Sequence, residues 1–165
     1  MADYTIRDAV PEDCEQIYNN TKDLAIFLNP AYPSKITLDS FREDGFGTNP
    51  LFRCHVAEMI DSGEIIGHTL FFPSYSSNTG KCMYMEDLYV SEHARGKGIG
   101  KALFQRLAQL SLKEGCQNIL WETLNSNKRG IKFYKRHGAV DSTAEENNHS
   151  FRMDKDQMEK LAETG

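Results

Sequence analysis

The chain has no apolar run approaching the ~18 residues that a bilayer-spanning helix needs, so it is not expected to cross or line a membrane. It also has no basic excess. Its net charge of −5 argues against nucleic acid as the main partner, because that partner usually requires a basic face. Its four cysteines, Cys14, Cys54, Cys82 and Cys116, form no C-x-x-C pair and have no histidine at zinc spacing. They read as buried free thiols in a reducing compartment, and no metal is expected. The opening MADYTIRDAV has neither a basic n-region nor an apolar h-region, so no secretory signal is read there and a cytoplasmic location is expected. Internal repeats, low-complexity tracts and linkers are absent, and 165 residues fit one domain, 1–165.

What is present suits a soluble core, with 39% apolar and 10% aromatic residues. TIRDAV alternates as a strand. Pro11-Glu12-Asp13 opens a helix with acids in its first turn, and Ile17, Leu24 and Phe27 share one face of it. Residues 29–33 break it, and Thr37 caps a second short helix that runs through Phe41 and ends at Gly45. Phe52–Met59 and Ile65–Phe72 read as strands joined by a turn at Asp61-Ser62-Gly63, and Lys81–Val90 as a third antiparallel strand. A strongly periodic helix follows, with a buried stripe of Ile99, Leu103, Leu107 and Leu110 and a stop at Gly115. Asn118–Trp121 is a short strand, Asn127–Arg136 a helix closed by Gly138, His149–Met153 a last strand and Lys155–Glu163 a polar tail helix. The fold class is α+β, with a mixed, mostly antiparallel central sheet flanked by helices.

Arg95-Gly96-Lys97-Gly98-Ile99-Gly100 follows a strand directly and opens the periodic helix. Glycines there permit φ > 0 and close approach of backbone to a ligand. The free N–H groups at the helix start attract anions, and Arg95 and Lys97 add charge. The chemistry is recognition of a phosphate or pyrophosphate. The dinucleotide fingerprint fails because Leu103 stands where the third glycine belongs. The Walker A pattern fails because Ala102 follows Gly100-Lys101 and Arg95 replaces the first glycine.

Two adjacent acids, Glu86 and Asp87, interrupt the otherwise apolar strand before this loop. Neighbouring residues of a strand face opposite ways unless a bulge intervenes. A buried carboxylate is costly unless it is paired or does chemistry. Both a solvated edge strand and a functional acid fit these two residues. His93 and His137, which lie beside the motifs, read as surface or turn residues.

Arg95-x-x-Gly98-x-Gly100 after a strand ending in LYV resembles the signature of the GNAT N-acetyltransferases. Glu43–Gly47 (EDGFG), the Glu86-Asp87 pair, the glycine loop and Phe133–Gly138 recur in the same order in the branch that acetylates diamines (spermidine and spermine) and thialysine. The likeness runs nearly end to end. It implies a GNAT fold and acetyl-CoA as co-substrate, with the pyrophosphate held by Arg95, Gly96, Lys97, Gly98, Ile99, Gly100 and Lys101. It also implies that the pantetheine arm runs along the backbone of Leu88, Tyr89 and Val90, with further coenzyme contacts from Asn127, Lys128, Arg129, Gly130 and Tyr134. Glu86, Asp87, Leu120, Trp121, Glu122, Phe27 and Leu28 fall at amine-binding positions. Family members commonly pair as homodimers.

An alkylammonium has a pKa near ~10.4 and is not nucleophilic at neutral pH. The resemblance makes Glu86 the group that takes its proton, directly or through water, and Tyr134 the acid that protonates the departing thiolate. A strand N–H, at Leu88, would stabilise the oxyanion. Cys82 as an acyl carrier is disfavoured, since the local sequence offers no histidine partner. Plainer roles exist: Asn127 as a helix N-cap, Tyr134 as a packed aromatic with a satisfied hydroxyl. Two departures from the diamine enzymes bear on substrate. Phe27-Leu28 stands where they carry an aromatic–acid pair, and Ser76-Ser77-Asn78 where they carry Asp-Pro-Trp. Ser76 is more similar to the thialysine branch. A small cationic amine or lysine-like amino acid is therefore expected. The alternatives are a yeast-type protein or histone-tail acetyltransferase, which DLYV at Asp87–Val90 also resembles, and a non-catalytic CoA-binding sensor.

Overall fold

The computed structural model describes residues 3–31, 34–144, 153 and 155–163. The chain divides into two compact units, Met1–Ser126 and Asn127–Gly165.

In the first unit five strands form one sheet in the order β1-β2-β3-β4-β5: β1 Tyr4–Asp8, β2 Arg53–Met59, β3 Ile65–Ser76, β4 Gly80–Val90 and β5 Asn118–Leu120. β1 to β4 pair antiparallel, and β5 joins β4 in parallel, so the sheet is mixed and mostly antiparallel as expected. α1 (Cys14–Leu28), α2 (Leu38–Phe46) and α3 (Ile99–Lys113) complete the unit. Ile17 and Phe41, from α1 and α2, pack with Cys54, Val56, Ile65 and Leu70 on one side of the sheet. Ile99 and Leu103 of α3 pack with Ala57, Ile66, Leu88 and Val90 on the other. Each fully buried leucine of α3, Leu103 and Leu107, contributes about 2 kcal/mol by leaving water.

Three details depart from the sequence expectation. Asp13 serves an ion pair more than a helix dipole. Its buried carboxylate takes two bonds from the Arg7 guanidinium, at 2.6 and 2.9 Å, and a third from the Val10 N–H at 2.8 Å. Burial alone would raise the Asp13 carboxyl, but these donors outweigh it and hold it below its ordinary value. Phe27 does not continue the buried face of α1, and is exposed with its ring under the Arg95 guanidinium. On α3, Ser111 rather than Leu110 takes the fourth buried place, and it is tolerated because its hydroxyl donates to Leu107 O at 2.8 Å.

Other expectations hold closely. Thr37 caps α2, with its Oγ1 accepting from the Ser40 N–H at 3.2 Å and Ser40 Oγ reciprocating, although the helix continues one residue beyond Gly45 to Phe46. Gly45 lies directly against the Phe52 ring, where even a methyl group would collide. All four cysteines are free and buried.

The sequence reading missed two fully buried histidines, His55 and His68, on neighbouring strands. His55 stacks on Phe71 with ring centroids 4.7 Å apart and approaches Asp8 at 3.3 Å. Burial, partly opposed by Asp8, lowers its pKa to about 4. The fold therefore holds the neutral imidazole. Above the unfolded value of ~6.5 neither state binds this proton and its contribution is complete. As pH falls from there towards 4 the unfolded chain is protonated first, which costs about 3 kcal/mol of stability. Urea unfolding at pH 7 and pH 4.5 is expected to show this loss in the parent protein and a smaller one in His55→Phe.

In the second unit α4 (Lys128–Arg136) is followed by a single 3-10 turn at Ser142–Ala144 and by α5 (Lys155–Glu163). Asn127 is the N-cap of α4, its Oδ1 accepting from the Gly130 N–H at 3.0 Å. A side chain at position 130 would collide with that cap, which explains Gly130 locally. Gly138 closes the helix at φ 89°, a conformation that favours glycine. The strand expected at His149–Met153 falls on residues 149–152, outside the described residues.

Candidate active site

The two adjacent acids on β4 sit at a bulge. Leu70 of β3 faces Asp87 and the next residue, Phe71, faces Met85, so Glu86 is the extra, unmatched residue. Directly opposed residues share a face of the sheet. Asp87 therefore lies with Leu70 on the α1 side and Met85 with Phe71 on the α3 side. The bulge removes the strict alternation that would have sent Glu86 and Asp87 in opposite directions. Glu86 is solvent-accessible, whereas the Asp87 side chain is only 15% exposed.

Glu86 has acidic company. Partial burial, then the charges of Asp87 and Glu122, raise its carboxyl above the ordinary value. Tyr84 is likewise raised, by burial first and then by Glu122 and Glu86. Tyr84 stacks on Phe72 at 5.1 Å, and Trp121 meets Phe104 of α3 edge-on at 5.5 Å. Glu86, Asp87, Glu122 and Tyr84 thus form one electronegative patch framed by aromatic rings. Such a patch attracts an organic cation, and a carboxyl raised in pKa is a better proton acceptor.

The β4–β5 ladder covers only Cys82–Tyr84 against Asn118–Leu120. Past Tyr84, β4 has a strand partner on its β3 side alone among the described residues. The edge along Leu88, Tyr89 and Val90 is open to an extended ligand. The Tyr89 ring itself is buried, stacked on His68 at 5.6 Å, so this residue can offer a ligand only backbone.

The glycine loop is built for close approach. Gly96 and Gly98 both have φ 83°, and space is open where a Cβ would stand. Gly100 already lies inside α3. Gly98 caps α3 without a side chain, and the first helical bond runs from the Ala102 N–H to Gly98 O at 3.0 Å. The N–H groups of the first turn therefore have no carbonyl partner within the helix. Lys97 and Lys101 are exposed beside them. Arg95 Nε donates to Val90 O at 2.9 Å, and its guanidinium lies over the Phe27 ring at 5.1 Å. The structure thus brings together one residue expected to bind amine and one expected to bind coenzyme. These loop features, with the open β4 edge, fit a diphosphate carrying an extended arm.

Leu28 is half-buried at the end of α1, and Leu120 is exposed at the end of β5. Ser76 Oγ accepts from the N–H groups of Asn78 and Thr79, so Ser76-Ser77-Asn78 builds the β3–β4 turn. Cys82 is fully buried with its thiol on Asn118 Oδ1 at 2.9 Å, which suits packing and not acyl transfer. In the second unit Tyr134 is half-buried on α4, with its ring edge-on to Phe133 at 5.4 Å. Lys128 and Arg129 are exposed in the first turn of the same helix. Tyr84 and His68 escaped the sequence reading. The signal available was a pair of polar residues, His68-Thr69, inside an apolar strand.

These features are those of an acyltransferase. The model of the Acetyltransferase (GNAT) family matches residues 14–139, and the chain belongs to that family. The thialysine N-epsilon-acetyltransferase of Mus musculus is 38% identical over 168 residues, covering 98% of this chain and 99% of that protein. The spermidine/spermine N(1)-acetyltransferase-like protein 1 of Homo sapiens is 34% identical over 96% of this chain, which spans 24% of that longer protein. Among solved structures, an integron cassette protein from the mobile metagenome of V. cholerae superposes with a TM-score of 0.79 at 22% identity, covering 99% of this chain and 100% of that one. The ribosomal-protein-alanine N-acetyltransferase of Brucella melitensis biovar Abortus 2308 gives 0.67 at 18%, covering 92% and 98%. Likeness at that identity speaks for the GNAT fold. No helix among the described residues is long and apolar enough to cross a membrane.

Proposed function

We propose that this enzyme transfers acetyl from acetyl-CoA directly to the primary amine of a small cationic substrate, in a ternary complex. The substrate class is a diamine or polyamine, or a lysine-like amino acid such as thialysine. The observation that carries this reading is the placement of Glu86 on a bulge, within an electronegative patch, on the strand that leads into the glycine loop. Full-length similarity to a thialysine acetyltransferase supports the amino acid end of that range.

When bound, acetyl-CoA supplies an activated thioester. Arg95, Lys97, Lys101 and the backbone of Gly96–Gly100 hold its diphosphate, and the backbone of Leu88–Val90 lies along its arm. Asn127, Lys128, Arg129 and Gly130 add coenzyme contacts. Asp87, Glu122, Trp121, Leu120, Phe27 and Leu28 line the amine's approach. Glu86 takes the ammonium proton, directly or through water, and the neutral amine attacks the acetyl carbonyl. The Leu88 N–H supports the charge that develops on oxygen. Tyr134 returns a proton to the leaving sulfur. In this reading residues 1–165 work as one N-acetyltransferase domain, and the family match at 14–139 runs from the first unit into the second. The enzyme acts in the reducing cytoplasm, where four free thiols persist, and as a homodimer, which sedimentation equilibrium tests.

An acetyl-CoA consumption screen against thialysine, lysine, putrescine, spermidine and a histone-tail peptide tests the substrate. Thialysine or a diamine is expected to be turned over fastest. Turnover of the peptide alone overturns the small-amine reading, and failure of calorimetry to detect acetyl-CoA binding overturns the whole of it.

A further inference from the structure

Behind Glu86 lies a polar cluster that the mechanism above does not use. His68 is completely buried in the middle of β3, with Nε2 3.7 Å from Asp87 Oδ2 and 3.4 Å from Thr21 Oγ1. Thr21, on α1, donates to the same Asp87 oxygen at 3.4 Å. The three polar atoms close a triangle that links α1, β3 and β4. The His68 ring is pinned by its stack on Tyr89, and its Nδ1 has no partner among the described residues. A buried imidazole with one unsatisfied nitrogen is a costly way to fill space, and an apolar ring would pack there without that cost. The nitrogen that is engaged meets Thr21 Oγ1, whose hydroxyl in turn donates to the carboxylate beside Glu86.

The geometry points to His68 as a positioning residue. Together with Thr21 it holds the Asp87 carboxylate against the bulge, and through Asp87 it governs the negative charge that Glu86 feels. The inference rests on the reading of Glu86 as proton acceptor. The titratable groups facing the two acids are Tyr84 on β4, Glu122 after β5, His68 on β3 and Cys54 on β2, which feels the Asp87 charge. The sign follows from the contacts. The Thr21 hydroxyl, held by His68, donates to Asp87 and offsets part of its charge. Removing that donor leaves more negative charge beside Glu86 and makes its carboxyl harder to ionise. Removing the Asp87 charge itself does the reverse.

The experiment is the pH dependence of kcat/KM with acetyl-CoA and thialysine, or with the amine that the screen identifies. The parent enzyme, Glu86→Gln, His68→Phe, Asp87→Asn and the double variant His68→Phe/Asp87→Asn are compared. Glu86→Gln is expected to abolish the acid limb, His68→Phe to move it up by about one unit, and Asp87→Asn to move it down. The double variant is expected to coincide with Asp87→Asn, because His68 acts through Asp87. Thr21→Val removes the hydroxyl that donates to Asp87 and is expected to shift the limb in the same direction as His68→Phe, which covers the case where the latter folds poorly. An acid limb that keeps the parent enzyme's midpoint in Glu86→Gln removes Glu86 as the base, and this inference with it. A limb lost in Glu86→Gln but unmoved in both His68→Phe and Thr21→Val overturns the role of His68 alone. So does a shift that persists once Asp87 is gone. A merely structural histidine would lower kcat without moving the limb.

Discussion

Tyr134→Phe is expected to lower kcat by about 10²–10³-fold while leaving the dissociation constant for CoA within about twofold. The substitution removes one oxygen from a half-buried ring and keeps the ring itself, so the edge-on contact with Phe133 survives. The local backbone of α4 is also untouched, since Tyr134 O still accepts the N–H groups of His137 and Ala139 at 3.0 and 3.1 Å. What disappears is a phenolic O–H, the one group of this side chain able to give a proton to an alkyl thiolate leaving group. Single-turnover kinetics with saturating amine, set beside calorimetry with CoA, separates the two effects. An unchanged rate removes Tyr134 from the chemistry. A parallel loss of rate and CoA affinity assigns it to binding.

The second large effect is at Glu86, where Gln is expected to cost about 10²-fold in kcat/KM and to flatten its acid limb. Burial, Asp87 and Glu122 all favour the protonated carboxyl, so the limb lies above the ordinary glutamate range. The sign is fixed: activity rises with pH as Glu86 loses its proton, and a glutamine has none to lose. Residual activity should then follow ionisation of the amine, falling as pH drops below the substrate's own pKa. A profile identical to that of the parent enzyme would assign the proton to another acceptor.

The frame was legible because its signals are local. Thr37 with Ser40, Gly63, Gly98, Gly115 and Gly138 each mark a boundary by capping or by positive φ, and these marks do not depend on what packs above them. The spacing of Ile99, Leu103 and Leu107 gave α3 its buried face directly. Features set by tertiary packing were not legible. Asp13 looked like a first-turn acid because nothing in the local sequence says that Arg7 will grip it. Phe27 looked like core because periodicity does not reveal how far along a helix its apolar face stays covered. His68, Tyr84 and Thr21 were missed because their meaning comes from neighbours on other elements. The Glu86-Asp87 pair was half legible. Two acids in an apolar strand announced a conflict, but the β3 register that resolves it is visible only in the paired sheet.

That register ties chemistry to architecture at one place. If position 86 were excised instead of substituted, β3 and β4 could zip together without interruption. Met85 and Asp87 would then be consecutive and alternate, so both halves of β4 would keep their present faces. Ironing out the bulge with position 86 retained would instead invert one half, turning either Asp87 and Tyr89 towards α3 or Met83 and Met85 towards α1. The surplus residue is therefore also the phase marker of the strand. Glutamine tests its charge, and a strand shortened by that one residue would test the bulge, because both methionines and the tyrosine would stay in the interiors they now fill.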